Sequence, residues 1–373
     1  MFESPPFWMY AVGFLLLLGP LVTVHELGHY LVGRWFGVKA DAFSVGFGKE
    51  IAGRTDKHGT RWKLSVLPLG GYVQFKGDMN PASIPDPEAP VEEGSFQSAS
   101  LWKRALIVAA GPVTNIIVAL AIFFAFNMAY GKPIPVEPEE VGVIESFPEG
   151  SRALEAGFEV GDRLVAIDGE EKDTWREIQS EILLYPNREF VITVVRDGAR
   201  MDLPVTADAV EMKDRFGNPS TIGLIGIKVQ DMEERYEPLS IGQAATMSVT
   251  QSVDAANMMV TGIAQIIRGD RSLKEMGGPV KIAKFSGEQL SLGPSAFVFF
   301  VALISLNLAF INLLPIPMLD GGHLAFYAVE AVRRKPVGPQ ATEWAYRTGV
   351  VIVLMLMLVV TVNDVVSLPI FGS

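Results

Sequence analysis

Apolar residues collect in four long runs, and the chain between them is polar and punctuated by glycine. The runs cover Phe7–Val32, Ala105–Tyr130, Pro294–Pro317 and Thr348–Val362. A bilayer core takes about 20 helical residues to cross, so each run predicts a transmembrane helix. The second is framed by Lys103-Arg104 and Lys132. A fifth stretch, Ile241–Ile267, interleaves Gln243, Gln251, Asp254, Asn257 and Gln265 with apolar residues. It predicts an interfacial or protein-packed helix, not a span. The first run has neither a basic leading region nor an A-x-A cleavage site, so it is expected to be retained.

Shorter patterns fill the gaps. Val141–Ile144 reads as a strand, Ser151–Ala156 as a short helix ending at Gly157, and Leu164–Ile167 as a strand closed by Asp168-Gly169. Thr174–Leu184 is helical in pattern, and Phe190–Arg196 alternates before the turn Asp197-Gly198. Together these predict a small α+β domain. Val66–Phe75 is apolar, too short to span, and rich in strand formers around Gly70-Gly71, which predicts a membrane-associated β-hairpin, with an ordinary cytoplasmic hairpin as the alternative. Asp78–Gln97 holds Pro81, Pro85, Pro87 and Pro90 among acids and reads as a linker.

Composition sharpens the class. The 373 residues are 49% hydrophobic and 20% charged, with mean hydropathy +0.29, which argues against a purely soluble protein. The absence of Cys excludes disulfides, thiolate zinc sites and cysteine nucleophiles. Net charge −11 leaves no basic stripe for nucleic acid. Ten Lys and Arg between Gly33 and Arg104, and Arg333-Arg334-Lys335 after the third run, mark cytoplasmic loops. The acidic region 131–240, with 12 Lys and Arg against 24 Asp and Glu, is then expected on the other side.

Candidate chemistry lies in the first run, where His25-Glu26-Leu27-Gly28-His29 is H-E-x-x-H. On a helix, positions i and i+4 share a face, so both imidazoles can reach one ion, with Glu26 beside them as general base. Ionisable groups inside a span are costly and read as functional. A catalytic zinc site takes three protein ligands and an open position. His58 sits in a charged turn, Asp56-Lys57-His58-Gly59, and His323 follows two glycines. Asp320 is the better third ligand. The first and third runs both exit to the cytoplasmic side, so Asp320 and the H-E-x-x-H meet at similar depth. Pro315 and Pro317 break the helix there, which is tolerated only beside protein or water. Asn312 and Asn307 are the candidate donors to an oxyanion, and interhelical hydrogen bonding is the alternative for both. The residues alone do not separate the two; Asn312 is favoured because it belongs to the run 312–323, which is similar to a known family motif. Asn115, after Gly111-Pro112, reads as structural. Leu67, Gly70, Gly71, Tyr72 and Val73 are candidates to hold substrate as an added strand.

HELGH at 25–29, NLLPIPMLDGGH at 312–323 and a PDZ-like run AGFEVGDRLVAIDG at 156–169 resemble the site-2 protease family of intramembrane zinc proteases. FSVGFGKEI at 43–51, VLPLGGYVQF at 66–75, AAGPVTNIIVA at 109–119 and GGPVKIAKFSG at 277–287 extend the likeness over nearly the whole chain, toward the bacterial regulator of sigma-E protease group. Some of that group carry two PDZ domains; this chain has room for one. The resemblance implies zinc held by His25, His29 and Asp320, with Glu26 as catalytic base. It also implies a bacterial inner-membrane location with the PDZ domain periplasmic. Implied substrates are single-span proteins such as anti-sigma factors or signal-peptide remnants, with peptide termini bound by the PDZ domain. The expected fold is a polytopic α-helical membrane protein with an inserted α+β PDZ domain and a membrane-associated hairpin. Its expected parts are residues 1–32 (first span), 33–104 (cytoplasmic loop), 105–130 (second span), 131–240 (PDZ region), 241–293 (amphipathic segment), 294–322 (third span) and 323–373 (loop and fourth span).

Overall fold

A computed structural model describes residues 5–77, 92–135, 142–172, 174–213, 219–229, 234–269, 277–335 and 337–366. The proline-rich linker expected at 78–97 lies outside these residues up to position 91, as does Val141. The chain forms two compact units, one holding residues 127–244 and the other the flanking stretches. Among the described residues, four helices are long and apolar enough to cross a membrane, namely Phe7–Trp35, Leu101–Tyr130, Pro294–Leu313 and Gln340–Val366.

Helix α1, Phe7–Trp35, buries a stripe spaced almost wholly by four: Gly13, Leu17, Leu21, His25, Gly28, His29 and Gly33. That spacing keeps one face inward. The glycines on it admit close neighbours. A Cβ at Gly28 would overlap the Thr114 side chain, and one at Gly33 the Phe75 ring.

Strands β1 (Ala40–Thr55) and β2 (Arg61–Phe75) follow. They form a more folded object than a hairpin. Both double back at glycines in the left-handed region: Gly46 and Gly48 at φ +91°, and Gly70 at +151°. Ala40–Val45 therefore pairs antiparallel with Gly71–Phe75, with Phe43 opposite Val73, and on its other side with 61–64, with Ala42 opposite Arg61. Residues 50–55 pair with 61–65. Segment 71–75 is left as an edge. Phe47, Ile51, Leu64, Val66 and Leu67 stay exposed on this sheet. In its turn, the Asp56 carboxyl is held down to about 2, chiefly by the Trp62 indole N–H donating to it. Helix α2, Leu101–Tyr130, runs on through Pro112.

The inserted unit opens with β3 (Lys132–Pro135), β4 (Ile144–Ser146), α3 (Arg152–Glu155), β5 (Arg163–Ile167), β6 (Glu170–Glu171), α4 (Trp175–Leu184), β7 (Glu189–Arg196) and β8 (Ala199–Thr206). It closes with β9 (Asp208–Lys213), β10 (Pro219–Leu224), β11 (Lys228–Val229) and β12 (Glu234–Glu237). A four-stranded sheet in the order β6-β5-β7-β8 packs on α4. Phe158, Ile178, Phe190 and Ile192 are fully buried there, each contributing about 1.5–3 kcal/mol. The Asp-Gly pairs make the expected turns, with positive φ at Asp168, Gly169, Asp197 and Gly198. Burial pushes the Asp162 carboxyl up, but the two-pronged grip of Arg196 (2.7 Å to each oxygen) outweighs it and holds it below its usual range. The pattern missed three pairings. β9 and β10 form a hairpin after Ala207, and β11 returns to pair with β4, Lys228 opposite Ser146. The two ends of the insertion also pair: β3 lies antiparallel to β12, Lys132 opposite Glu237.

After the insertion, the described residues form helices α5 (Ile241–Arg268), α6 (Pro279–Ser291), α7 (Pro294–Leu313), α8 (Asp320–Arg333) and α9 (Pro339–Val366). α5 is amphipathic and is not among the four apolar helices. α6 lies along α1, where a Cβ at Gly13 would press on the Ser286 backbone. The N-terminus of α6 is capped from α9: the fully buried Asp364 carboxylate accepts the Gly278 and Lys281 amides at 3.2 and 3.0 Å.

Candidate metal centre

α1 presents His25 and His29 one turn apart, both buried. α7 stops at Leu313, with Leu314 extended before Pro315, as the residue before proline prefers. Six residues later α8 begins at Asp320. Met318 holds φ +90° in that connection, an uncommon conformation for a side chain. Gly321 and Gly322 have no space for a Cβ beside the Leu313, Leu314 and Ile316 carbonyls. This tight turn brings the Asp320 carboxylate against the two imidazoles.

The three ligand atoms form a small triangle. His25 Nε2 lies 3.2 Å from His29 Nε2 and 3.1 Å from Asp320 Oδ2. His29 Nε2 lies 3.5 Å from Asp320 Oδ1. A tetrahedral zinc with arms of about 2.0–2.1 Å has ligand–ligand edges of about 3.3 Å. The donor set and its spacing therefore fit zinc without rearrangement. Among the described residues, this is the one group of three such side chains gathered this closely. His29 Nδ1 donates to the Ile107 carbonyl at 2.8 Å, which leaves Nε2 for an ion. Gly111 on α2 keeps the space open, since a Cβ there would overlap His29 and come within 2.7 Å of His25 Nε2.

The triangle sits in a cavity of about 230 Å3 that is also lined by Glu26, Val73, Asn312 and His323. Glu26 accepts the backbone N–H of Val73 at 3.0 Å. Of the two candidate asparagines, Asn312 is on the cavity wall and Asn307 is not among its lining residues. Val73 lines the cavity; Leu67, Gly70, Gly71 and Tyr72 do not. Gly70 packs on Phe47, Gly71 on the Ser44 carbonyl, and Leu67 is half exposed. His58 stays in its turn. His323 is buried in the first turn of α8, with its Nδ1 2.7 Å from the Tyr346 hydroxyl of α9. Arg104 of α2 pairs with Glu330 at 2.8 Å and so ties α8 to α2.

Two backing groups went unread in the sequence. Ile107 acts through its carbonyl, which no side-chain pattern reveals. Asn115 places its amide nitrogen 3.2 Å from His25 Nδ1. The sequence marks Asn115 only as structural and does not disclose this contact.

The profile of Peptidase family M50 matches residues 13–356. A protein of Agrobacterium fabrum bearing the name zinc metalloprotease is 42% identical over 369 residues, covering 96% of each chain. A Rhizobium meliloti protein of like name is 42% identical over 367 residues, covering 94% of this chain and 95% of its own. One from Vibrio cholerae is 30% identical over 448 aligned positions, covering 95% and 97%.

Proposed function

The chain belongs to Peptidase family M50, the site-2 protease family of zinc metallopeptidases, and from that premise we propose an endopeptidase that cuts the transmembrane segments of single-span membrane proteins, with Glu26 as general base. The observation that carries this is the triangle of His25 and His29 on the apolar helix α1 and Asp320 at the start of α8, adjoined by Glu26 in one cavity.

Bound in the triangle, zinc supplies Lewis acidity toward the scissile carbonyl and makes water acidic enough to ionise near neutral pH. Glu26 takes the proton of the attacking water on its carboxylate and delivers it to the leaving amine. The Asn312 amide donates to the developing oxyanion from the cavity wall. A substrate helix satisfies its own backbone and must be unwound first. Segment 67–73 holds it extended: strand 71–75, which reaches the cavity at Val73, is the one a substrate would lie along, and the exposed apolar residues of the sheet keep it at the membrane.

The basic loops support a reading in which 33–104 and 333–335 are cytoplasmic, and with the family they support an inserted domain on the periplasmic side of a bacterial inner membrane. We read that domain as a PDZ domain that takes peptide termini by strand addition. Anti-sigma factors already trimmed elsewhere and signal-peptide remnants are the substrate class. The test uses purified protein in lipid with a model single-span substrate. One zinc per chain is expected, with cleavage inside the span that chelation stops and zinc restores. A zinc-loaded protein that cuts only soluble peptides would overturn the proposal.

A further inference from the structure

Each ligating histidine has a second nitrogen, and its partner decides which nitrogen carries the proton. For His29 the partner is the Ile107 carbonyl, an acceptor only, so Nδ1 holds the proton and Nε2 has a lone pair. His25 must present Nε2 in the same way, because Nε2 is the atom that faces Asp320 and His29. Its Nδ1 therefore needs an acceptor.

Asn115 is that partner. It is fully buried in α2, and its own backbone carbonyl is fixed by the Ser305 hydroxyl of α7 at 2.8 Å. Its amide nitrogen lies 3.2 Å from His25 Nδ1, while its Oδ1 is buried with no hydrogen bond. An amide nitrogen at that point would donate to Nδ1 and leave the proton on Nε2, the tautomer that cannot ligate. The two ends of an amide have nearly the same shape. A half-turn about its terminal torsion exchanges them in place. Oδ1 then accepts from Nδ1–H, the buried oxygen gains a donor, and the Nε2 lone pair is directed to the ion.

We propose that Asn115 is a positioning residue for the metal centre: its side-chain oxygen holds His25 in the Nδ1–H tautomer and so leaves the Nε2 lone pair for the ion. The inference rests on the zinc-site reading above and goes beyond it, since Asn115 touches neither the ion nor the substrate.

The test measures zinc affinity of the full-length protein in lipid by competition with a chromogenic chelator. Wild type is compared with Asn115→Leu, which keeps the bulk and loses the acceptor, and Asn115→Asp, which keeps an acceptor. Asn115→Leu should weaken zinc binding about 10–100-fold. Asn115→Asp should stay within a few-fold of wild type. Neither change touches the Ser305 bond, which uses the backbone. A second measurement needs no variant in the site's backing: solid-state nitrogen spectra of histidine-labelled wild type, with His25 identified by its loss in His25→Ala. In the zinc-loaded protein the His25 proton should sit on Nδ1. Equal affinity in wild type and Asn115→Leu, or equal loss in Leu and Asp variants, overturns the inference and leaves the zinc site standing. An Nε2–H tautomer in the zinc-loaded protein also overturns it. A wild type that binds no zinc sinks the site reading and this inference together.

Discussion

The carboxylate of Glu26 and the backbone amide of Val73 are joined at 3.0 Å, across a gap of 47 residues in sequence. The N–H in question belongs to the edge of segment 71–75, the side that does not pair with Phe43. The proposed base and the proposed substrate-holding strand are thus in direct contact. Moving one moves the other.

Glu26→Gln should abolish cleavage while zinc stays bound. The amide keeps the shape, and its oxygen can still accept from Val73, but it cannot take up the proton of water. Turnover of a model substrate beside metal analysis checks this. Near-wild-type turnover would remove Glu26 from the role of base.

Asp320→Ala should lower zinc occupancy, since one of three ligands goes. Asp320→Asn should do so less, because a carbonyl oxygen remains. Full occupancy in both would make Asp320 only the first residue of α8 and turn attention to His323, its neighbour on the cavity wall.

Gly111→Ala tests the space for the ion. Alanine suits a helix interior better than glycine by about 1 kcal/mol, so the helix itself should not suffer. The new methyl would collide with His29 and crowd His25. Zinc affinity should fall by at least about tenfold with α-helical content unchanged. Unaltered affinity would show that the imidazoles can retreat.

Val73→Pro removes the N–H given to Glu26 and breaks the edge at its centre. Cleavage should drop strongly, with zinc content normal. Val73→Ile should be mild. Substrates with helix-breaking residues near the cut should suffer less from the proline. A flat response in stably inserted variants would reduce segment 71–75 to a connector.

Asp364→Ala should destabilise the helical unit by about 0.5–2 kcal/mol, the usual cost of a lost N-terminal cap. The two amides it serves start α6, the helix that packs on α1. Thermal unfolding in detergent reads the effect. No shift in midpoint would mean that water replaces the cap.

What the sequence disclosed follows from which interactions are local. His25 and His29 are legible because a helix brings i and i+4 together without help. Asp320 is legible because two prolines in three residues must end a helix beside it. The inserted domain's turns are written in Asp168-Gly169 and Asp197-Gly198. The folded-back sheet was not legible. Its register depends on Gly46, Gly48 and Gly70 adopting positive φ, and glycine permits that without requiring it. The pairing of Lys228 with Ser146 was hidden for another reason: a two-residue strand carries no period. Asn115 was hidden because an asparagine inside a span bonds to whatever it meets, and only coordinates show that it meets His25.

The antiparallel clasp of Lys132–Pro135 with Glu234–Glu237 carries one more consequence. Paired strands lie about 5 Å apart, so the chain departs and comes back through a single doorway. Whatever occupies the stretch between is, for the helices, a loop of fixed span, however many residues it contains. Loop-closure cost grows only with the logarithm of length. The insertion is therefore an exchangeable cassette. Its contents could be lengthened, duplicated or replaced by an unrelated folded module with neighbouring ends, and the helices would register no difference in distance.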